Sequence, residues 1–337
     1  MGMYVNLEGT GGAKAVTECW CSPGDRGARK VSSIWAAEGS GVAKVWESRK
    51  PDPYALAPEN EEQKWDYTLD NAKGTIQLNY YSSNALHEDV IVYGAYGIGG
   101  KTYRTKLKSN DAKTYSYMFS GKKYVGSVIF SPSIDMSDVT CMTYMFYDCG
   151  AAGIDFNGLD TGGVTDMSWM FIHSKAASIK WGDGFDTSNV TDMRQMFGRC
   201  CCSLDLGSFN TGKVTKMQGM FANYGGEMLD LSSFDTGSVT SMQGMFAGAA
   251  ALKGIEFSPL FDTGNVVDMG DMFGSCSELT ALDLRYFDTG NVKKMRSMFL
   301  ACSKLGVIYA DEGTWKTSQA DTYNMFNGCG TSAVTYI

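Results

Sequence analysis

Proline, histidine and long apolar runs are scarce in this chain. Its 337 residues include six prolines and two histidines, His87 and His173. Neither histidine stands in a pattern with a nucleophile, a carboxylate or a second imidazole. The order of residues offers no Ser-His-Asp arrangement, no phosphate loop and no zinc-like cysteine spacing. No apolar stretch approaches the ~20 residues that a bilayer span requires. Charged residues make up 20% and the net charge is −8, with no basic block. A nucleic-acid partner is not expected, because phosphate recognition needs clustered Lys and Arg. The opening residues, MGMYVNLEGTGG, lack a basic region followed by an apolar one, so no secretory signal is expected. The apolar content of 44% is that of a globular protein.

Methionine and glycine are abundant instead, at 20 and 40 residues. The methionines are not scattered. Met-Phe recurs nine times, with the phenylalanine at 119, 146, 171, 197, 221, 246, 273, 299 and 326. The steps are 27, 25, 26, 24, 25, 27, 26 and 27 residues, and sixteen of the twenty methionines fall in these motifs. Such a period marks a stacked repeat architecture. The seven middle copies read V-x-x-M-x-x-M-F, as in Val190 to Phe197. Apolar residues at i, i+3, i+6 and i+7 predict one face of a short helix. The Phe-Asp-Thr triplets before most copies carry turn and N-cap residues. After each Met-Phe comes an apolar-polar-apolar triplet, such as Leu204-Asp-Leu206 or Leu229-Asp-Leu231. Period two predicts a short strand with one buried face.

Each unit is therefore expected to be strand, turn, short helix and loop. No unit can bury its apolar face alone, so successive units should stack with their strands in one parallel sheet. The fold class expected is a repeat solenoid of the α/β leucine-rich-repeat type, with nine units over residues 112–337. Residues 65–111 read as a β-rich N-terminal cap with strands near 65–69, 76–80, 90–93 and 103–107. Residues 47–64, with Pro51, Pro53 and Pro58, read as a linker. Residues 1–46 carry a fifteen-residue repeat, Gly12-Ala-Lys, Gly27-Ala-Arg and Val42-Ala-Lys, that suggests glycine-rich β-hairpins.

The run Leu-Asp-Leu, Phe-Asp-Thr, Val-x-x-Met-x-x-Met-Phe, Cys resembles the BspA-type leucine-rich repeats of bacterial surface proteins, over about residues 112–337. The first and last copies depart from it, with Tyr115 and Thr322 at the first methionine position. The segment from Lys30 to Trp46 resembles glycine-rich repeats in tail proteins of phages and prophages. Together these resemblances imply a non-catalytic binding protein. The first reading is a phage or prophage tail component, located in the virion, that recognises a bacterial surface receptor, protein or glycan. Residues 1–46 would then contact other tail subunits. The alternatives are a BspA-type adhesin on a bacterial cell surface and a purely structural tail protein. No cofactor, metal or membrane insertion is expected.

Candidate binding residues come from the polar positions that the strands should turn outward. Asp155, Lys180, Asp205, Asp230, Glu256 and Asp283 form one column, in which stacked acids repel unless something offsets them. A second column, Asp160, Asp186, Asn210, Asp235, Asp262 and Asp288, is expected to cap the helices. Trp169 and Trp181, and Arg285 with Tyr286, break the pattern of their units and suit either ligand contact or packing. Five cysteines sit three residues after a motif phenylalanine, where other copies have Ser174, Tyr224 or Ala249, so a small buried thiol is expected there. Val334, Thr335 and Tyr336 fall in the last expected strand, an edge that would pair with another copy or a partner.

Overall fold

The computed structural model describes residues 56–83, 89–107, 118–122 and 125–337, together with the backbone of four strands near the N-terminus. The chain divides into two compact units, Met1–Asp52 and Pro53–Ile337. In the first, β1 (Met3–Glu8) pairs antiparallel with β2 (Ala15–Cys21), and β3 (Ser33–Glu38) with β4 (Gly41–Glu47). These are two hairpins, as the glycine-rich repeat suggests. The linkage 48–55 and the side chains of this unit lie outside the described residues.

The second unit opens with a one-turn 3-10 helix, Glu61–Lys64. Ala57 is buried beside it and its N–H donates to the Ala95 carbonyl, so this stretch, expected as linker, is built onto the cap. The cap sheet has the order β5 (Trp65–Asp70), β6 (Thr75–Tyr81), β9 (Lys101–Leu107), β8 (Ala95–Ile98). The strand expected near 90–93 forms as β7 (Val90–Val92) but leaves the cap. It pairs parallel with β10 (Ser127–Phe130) and becomes the first rung of the solenoid sheet. All three of its residues are buried, which suits a strand covered on both faces.

The solenoid continues through β11 (Gly153–Asp155), β12 (Ile179–Lys180), β13 (Met228–Asp230), β14 (Gly254–Glu256), β15 (Ala281–Leu284), β16 (Val307–Ala310) and β17 (Thr335–Tyr336). Every pairing along it is parallel. The alternation read from the sequence sets the burial: Ile154 and Phe156, Leu229 and Leu231, Leu282 and Leu284 point inward and are closed off from solvent. The fold is thus the leucine-rich-repeat solenoid, with one difference from the expected unit.

That difference is the helix. The Met-x-x-Met-Phe segments are chains of tight turns, and the 3-10 turn at 61–64 is the only helix among the described residues. The residue before the second methionine has a left-handed backbone in every unit from 144 on: Tyr144, Trp169, Gln195, Gly219, Gly244, Asp271, Ser297 and Asn324 have φ between 55 and 61°. A right-handed helix cannot pass through such a residue. The N–H of Met145 instead closes a turn on Met142, and Cys149 closes another on Phe146. The intervening N–H groups cross to the next unit. From Phe119 to Phe299 each motif phenylalanine N–H donates to the second methionine carbonyl of the following unit at 2.8–3.0 Å. The i, i+3, i+7 spacing is real, but successive turns produce it as well as a helix does.

The core is a column. The nine motif phenylalanines stack ring on ring with centroids 5.3–5.7 Å apart and near-parallel planes. Eight of them, Phe119 to Phe299, have no exposed surface, and the two methionines of each middle motif are buried beside them. Each ring therefore has an identical neighbour above and below, and offset stacking adds to area burial. A Phe221→Ala change should cost about 3–5 kcal/mol, since two rings lose their partner around a cavity. Met220→Leu, which keeps volume, should cost under about 1.5 kcal/mol. Urea unfolding of the two variants measures both.

Candidate functional site

Three outward columns run along the solenoid. The first is the strand-side column, Asp155, Lys180, Asp205, Asp230, Glu256 and Asp283. These residues do point away from the core, and Asp205, Asp230 and Glu256 are exposed. The four aspartates are tied into turns. Asp155, Asp205, Asp230 and Asp283 each accept the N–H two residues on, from Asn157, Gly207, Ser232 and Arg285, at 2.9–3.2 Å. This is the side-chain turn that Asp favours when the chain must leave a strand. Ser232, through its hydroxyl and N–H, holds the Asp230 carboxyl below its ordinary range. Lys180 reaches back to Asp155 at 3.5 Å, and Arg285 clamps Asp283 at 2.8 Å. Burial would raise the Asp283 pKa, but the Arg285 contacts outweigh it and the value falls.

The second column closes turns as well. Asp160, Asp186, Asn210, Asp235, Asp262 and Asp288 accept N–H bonds from Gly162, Ser188, Gly212, Gly237, Gly264 and Gly290. The expected helix capping is corrected, because there is no helix to cap. The threonines that follow tie the units together. Thr161, Thr187, Thr211, Thr236 and Thr263 are buried, and each hydroxyl donates to the carbonyl of the second-column residue in the next unit at 2.7–2.9 Å.

A third column, not evident from the strand alternation, lies just before the first methionine. Cys141, Asp166, Asp192, Lys216, Ser241, Asp268, Lys294 and Asp321 are joined by successive parallel bridges. Here the charges alternate in sign often enough to pair. Lys216 lies 3.2 Å from Asp192, and Lys294 lies 3.0 Å from Asp268. Asp192 also takes Arg194 at 2.7 Å, and its side chain is only 7% exposed. The signal was available as the varying D, K or S in Val-Thr-x-Met.

The two tryptophans part company. Trp169 is half-buried on the turn side, between the Tyr144 ring, stacked at 5.4 Å, and the Arg194 guanidinium at 5.0 Å. With both ring faces occupied, it offers an edge to solvent. Trp181 is corrected from surface candidate to core residue. It is 7% exposed and packs among Phe156, Phe171, Phe185, Phe197 and Phe209. Its indole N–H donates to the Asp205 carbonyl. In other units that carbonyl position receives the backbone N–H of the equivalent residue, as Phe156 donates to Lys180 and Leu231 to Glu256. The indole substitutes for the ladder bond, and residues 204–206 accordingly form no strand. Tyr286 is 39% exposed beside Arg285.

At the last rung, Thr335 and Tyr336 pair with β16 and are exposed, while Val334 is half-buried against the core. Trp315, Met325, Phe326, Val334 and Tyr336 line a cavity of about 570 Å³ there. Among the described residues no three His, Cys, Asp or Glu side chains come together as a metal site, and no helix is long and apolar enough to cross a membrane. Cys149 and Cys302 are buried, and burial pushes both thiols up to about 11, as expected of core filler.

Two outcomes follow. Trp181→Phe should keep the ring packing, lose the indole N–H and cost about 1 kcal/mol in urea unfolding. For Asp192, desolvation alone would raise the pKa, but Arg194 and Lys216 outweigh it and the value is lowered. Its contribution is therefore fully present above the unfolded value near pH ~4 and is lost as pH falls through the lower folded value. The stability difference between wild type and Asp192→Asn should be about 1.5–3 kcal/mol near neutral pH, shrinking toward zero in acid. Unfolding curves across that range test the sign.

The chain resembles two solved structures. A leucine rich cell surface protein from Faecalibacterium prausnitzii A2-165 is 15% identical, with a TM-score of 0.23, over 81% of this chain and 92% of that one. A leucine-rich repeat protein from Bacteroides ovatus ATCC 8483 is 12% identical, with a TM-score of 0.20, over 79% of this chain and 91% of that one. No curated protein matches. A family model matches three overlapping stretches, 104–180, 178–257 and 226–335, which together span well over half of the 337 residues. The chain belongs to that family, described as Mycoplasma protein of unknown function, DUF285.

Proposed function

We propose that this protein is a non-catalytic, surface-binding repeat protein of the adhesin kind, whose strand-side face meets a cationic protein or glycan on another surface. One observation carries the reading. The inward positions repeat almost without change, whereas the outward strand-side column varies as Asp155, Lys180, Asp205, Asp230, Glu256 and Asp283, of which Lys180, Asp205, Asp230 and Glu256 are exposed. A row of charges, one from each successive unit, suits an extended partner better than a small molecule. Consecutive acids at Asp205, Asp230 and Glu256 give the row a negative field that steers a cationic partner, while Arg285 neutralises Asp283 at its end.

The adhesin reading needs only the solenoid. The phage-tail reading rests on residues 1–46, whose side chains lie outside the described residues. Nothing in the geometry favours it, so the adhesin reading is preferred, with a bacterial cell surface as the place of action.

The test uses the full chain, labelled and titrated onto bacterial cells, epithelial cells and an array of glycans. A triple variant, Asp205→Asn, Asp230→Asn and Glu256→Gln, removes charge but lets each Asn still accept its turn hydrogen bond. Binding should weaken at least about ten-fold, and wild-type binding should fall with added salt. Unchanged binding by the triple variant would exclude the strand side, and absence of binding to every surface would overturn the adhesin reading.

A further inference from the structure

In three successive units, those of Phe171, Phe197 and Phe221, the residues three and five positions after the motif phenylalanine lie against each other. In the unit of Phe171 these are Ser174 and Ala176, both buried, and the Ala176 N–H donates to Ser174 Oγ at 3.4 Å. In the unit of Phe221 they are Tyr224 and Gly226, where a Cβ added to the glycine would lie 2.4 Å from the tyrosine ring. The unit between them places Cys200 and Cys202 in this pocket. Both are buried, and their sulfurs lie 2.8 Å apart. Among the described residues no other unit has thiols at both positions. The backbone path of these three units brings the two positions together, and the middle one fills them with sulfur.

Two sulfurs at 2.8 Å are within about 0.8 Å of the bonded distance of about 2.05 Å. We propose that Cys200 and Cys202 are a modification site, a dithiol that closes to an intramolecular disulfide on meeting a small-molecule disulfide. The exchange is balanced. One cysteine thiolate attacks the reagent R–S–S–R and releases one R–SH. The second cysteine then attacks the mixed disulfide and releases the other R–SH, so the protein loses two hydrogen atoms and the reagent gains them. The hydrogen bond between the two sulfurs, in which either can be the donor, stabilises whichever thiolate forms first and so prepares it to attack. The loop is held from the next unit, where Tyr224 Oη donates to the Cys202 carbonyl at 2.8 Å and the Gly225 N–H to the Cys200 carbonyl at 2.9 Å. It leads directly into 204–206, the segment whose ladder bond is taken by the Trp181 indole. Closure would fix the path of the chain where the strand column is interrupted. Cys201, between the pair, is exposed and lies on the surface side.

The experiment equilibrates the full chain in reduced and oxidised glutathione at a series of ratios. It is run in native buffer and again in urea just below the unfolding midpoint, which speeds local opening. Remaining thiols are blocked with N-ethylmaleimide under denaturing conditions, and peptides are weighed. The expected peptide containing residues 200–202 carries one maleimide, on Cys201, and is lighter by two hydrogen atoms. It should appear at ratios where Cys276 and Cys302 remain fully blocked by maleimide. Cys201→Ser should still close the bond, and Cys202→Ser should not. Three maleimides at every ratio, a glutathione adduct in place of closure, or a bond that disappears in Cys201→Ser would each overturn the proposal.

Discussion

A single unit of this solenoid has no core of its own. It presents a few leucines on one side, two methionines and a phenylalanine on the other, and backbone groups that find no partner within the unit. Everything else follows from placing the next unit against it. The phenylalanine rings then stack at 5.3–5.7 Å, and the N–H of each one reaches the methionine carbonyl of its neighbour. The hydroxyl of the threonine that follows each second-column residue makes the third tie. Stability is therefore a property of interfaces between units, and it accumulates along the array.

That constraint also governs the surface. Polar residues must turn the chain sharply three times in about 26 residues, and Asp does this by accepting the N–H two positions on. The acid columns are thus structural first. Their charge is left over, paired where a lysine or arginine falls in register, as at Asp192 and Asp268, and projected outward where none does, as at Asp205 and Asp230. The same residues that shape the turns supply whatever recognition the strand side performs.

Departures from the repeat mark places where one requirement replaces another. Trp181 is too large to sit as leucine does, and its indole takes over a carbonyl that the backbone would have bonded. The chain of turns around Cys200 to Cys202 is the shortest unit, at 24 residues, and lies beside that substitution. In a stacked array an irregularity is felt by the neighbouring units alone, so these two features can coexist with regular columns on either side.

Much of this was legible in the sequence. The period, the number of units, the inward Leu and Phe positions and four of the five expected buried cysteines, all but the half-buried Cys329 of the last unit, followed from spacing, because stacking demands the same residue type at the same place in each unit. The outward direction of Asp155 to Asp283 followed from strand alternation. What spacing could not decide was the conformation of Met-x-x-Met-Phe. Helix and successive turns share the same apolar period, and the distinction rests on whether N–H groups bond four residues back or across to a unit about 26 residues away. Nor could it place Trp181, whose aromatic bulk suits surface or core equally until the neighbouring phenylalanines are in position. The loss of Val90–Val92 from the cap to the solenoid sheet has the same origin: a strand's partners are chosen by the packed structure, while its own residues declare only that it is a strand.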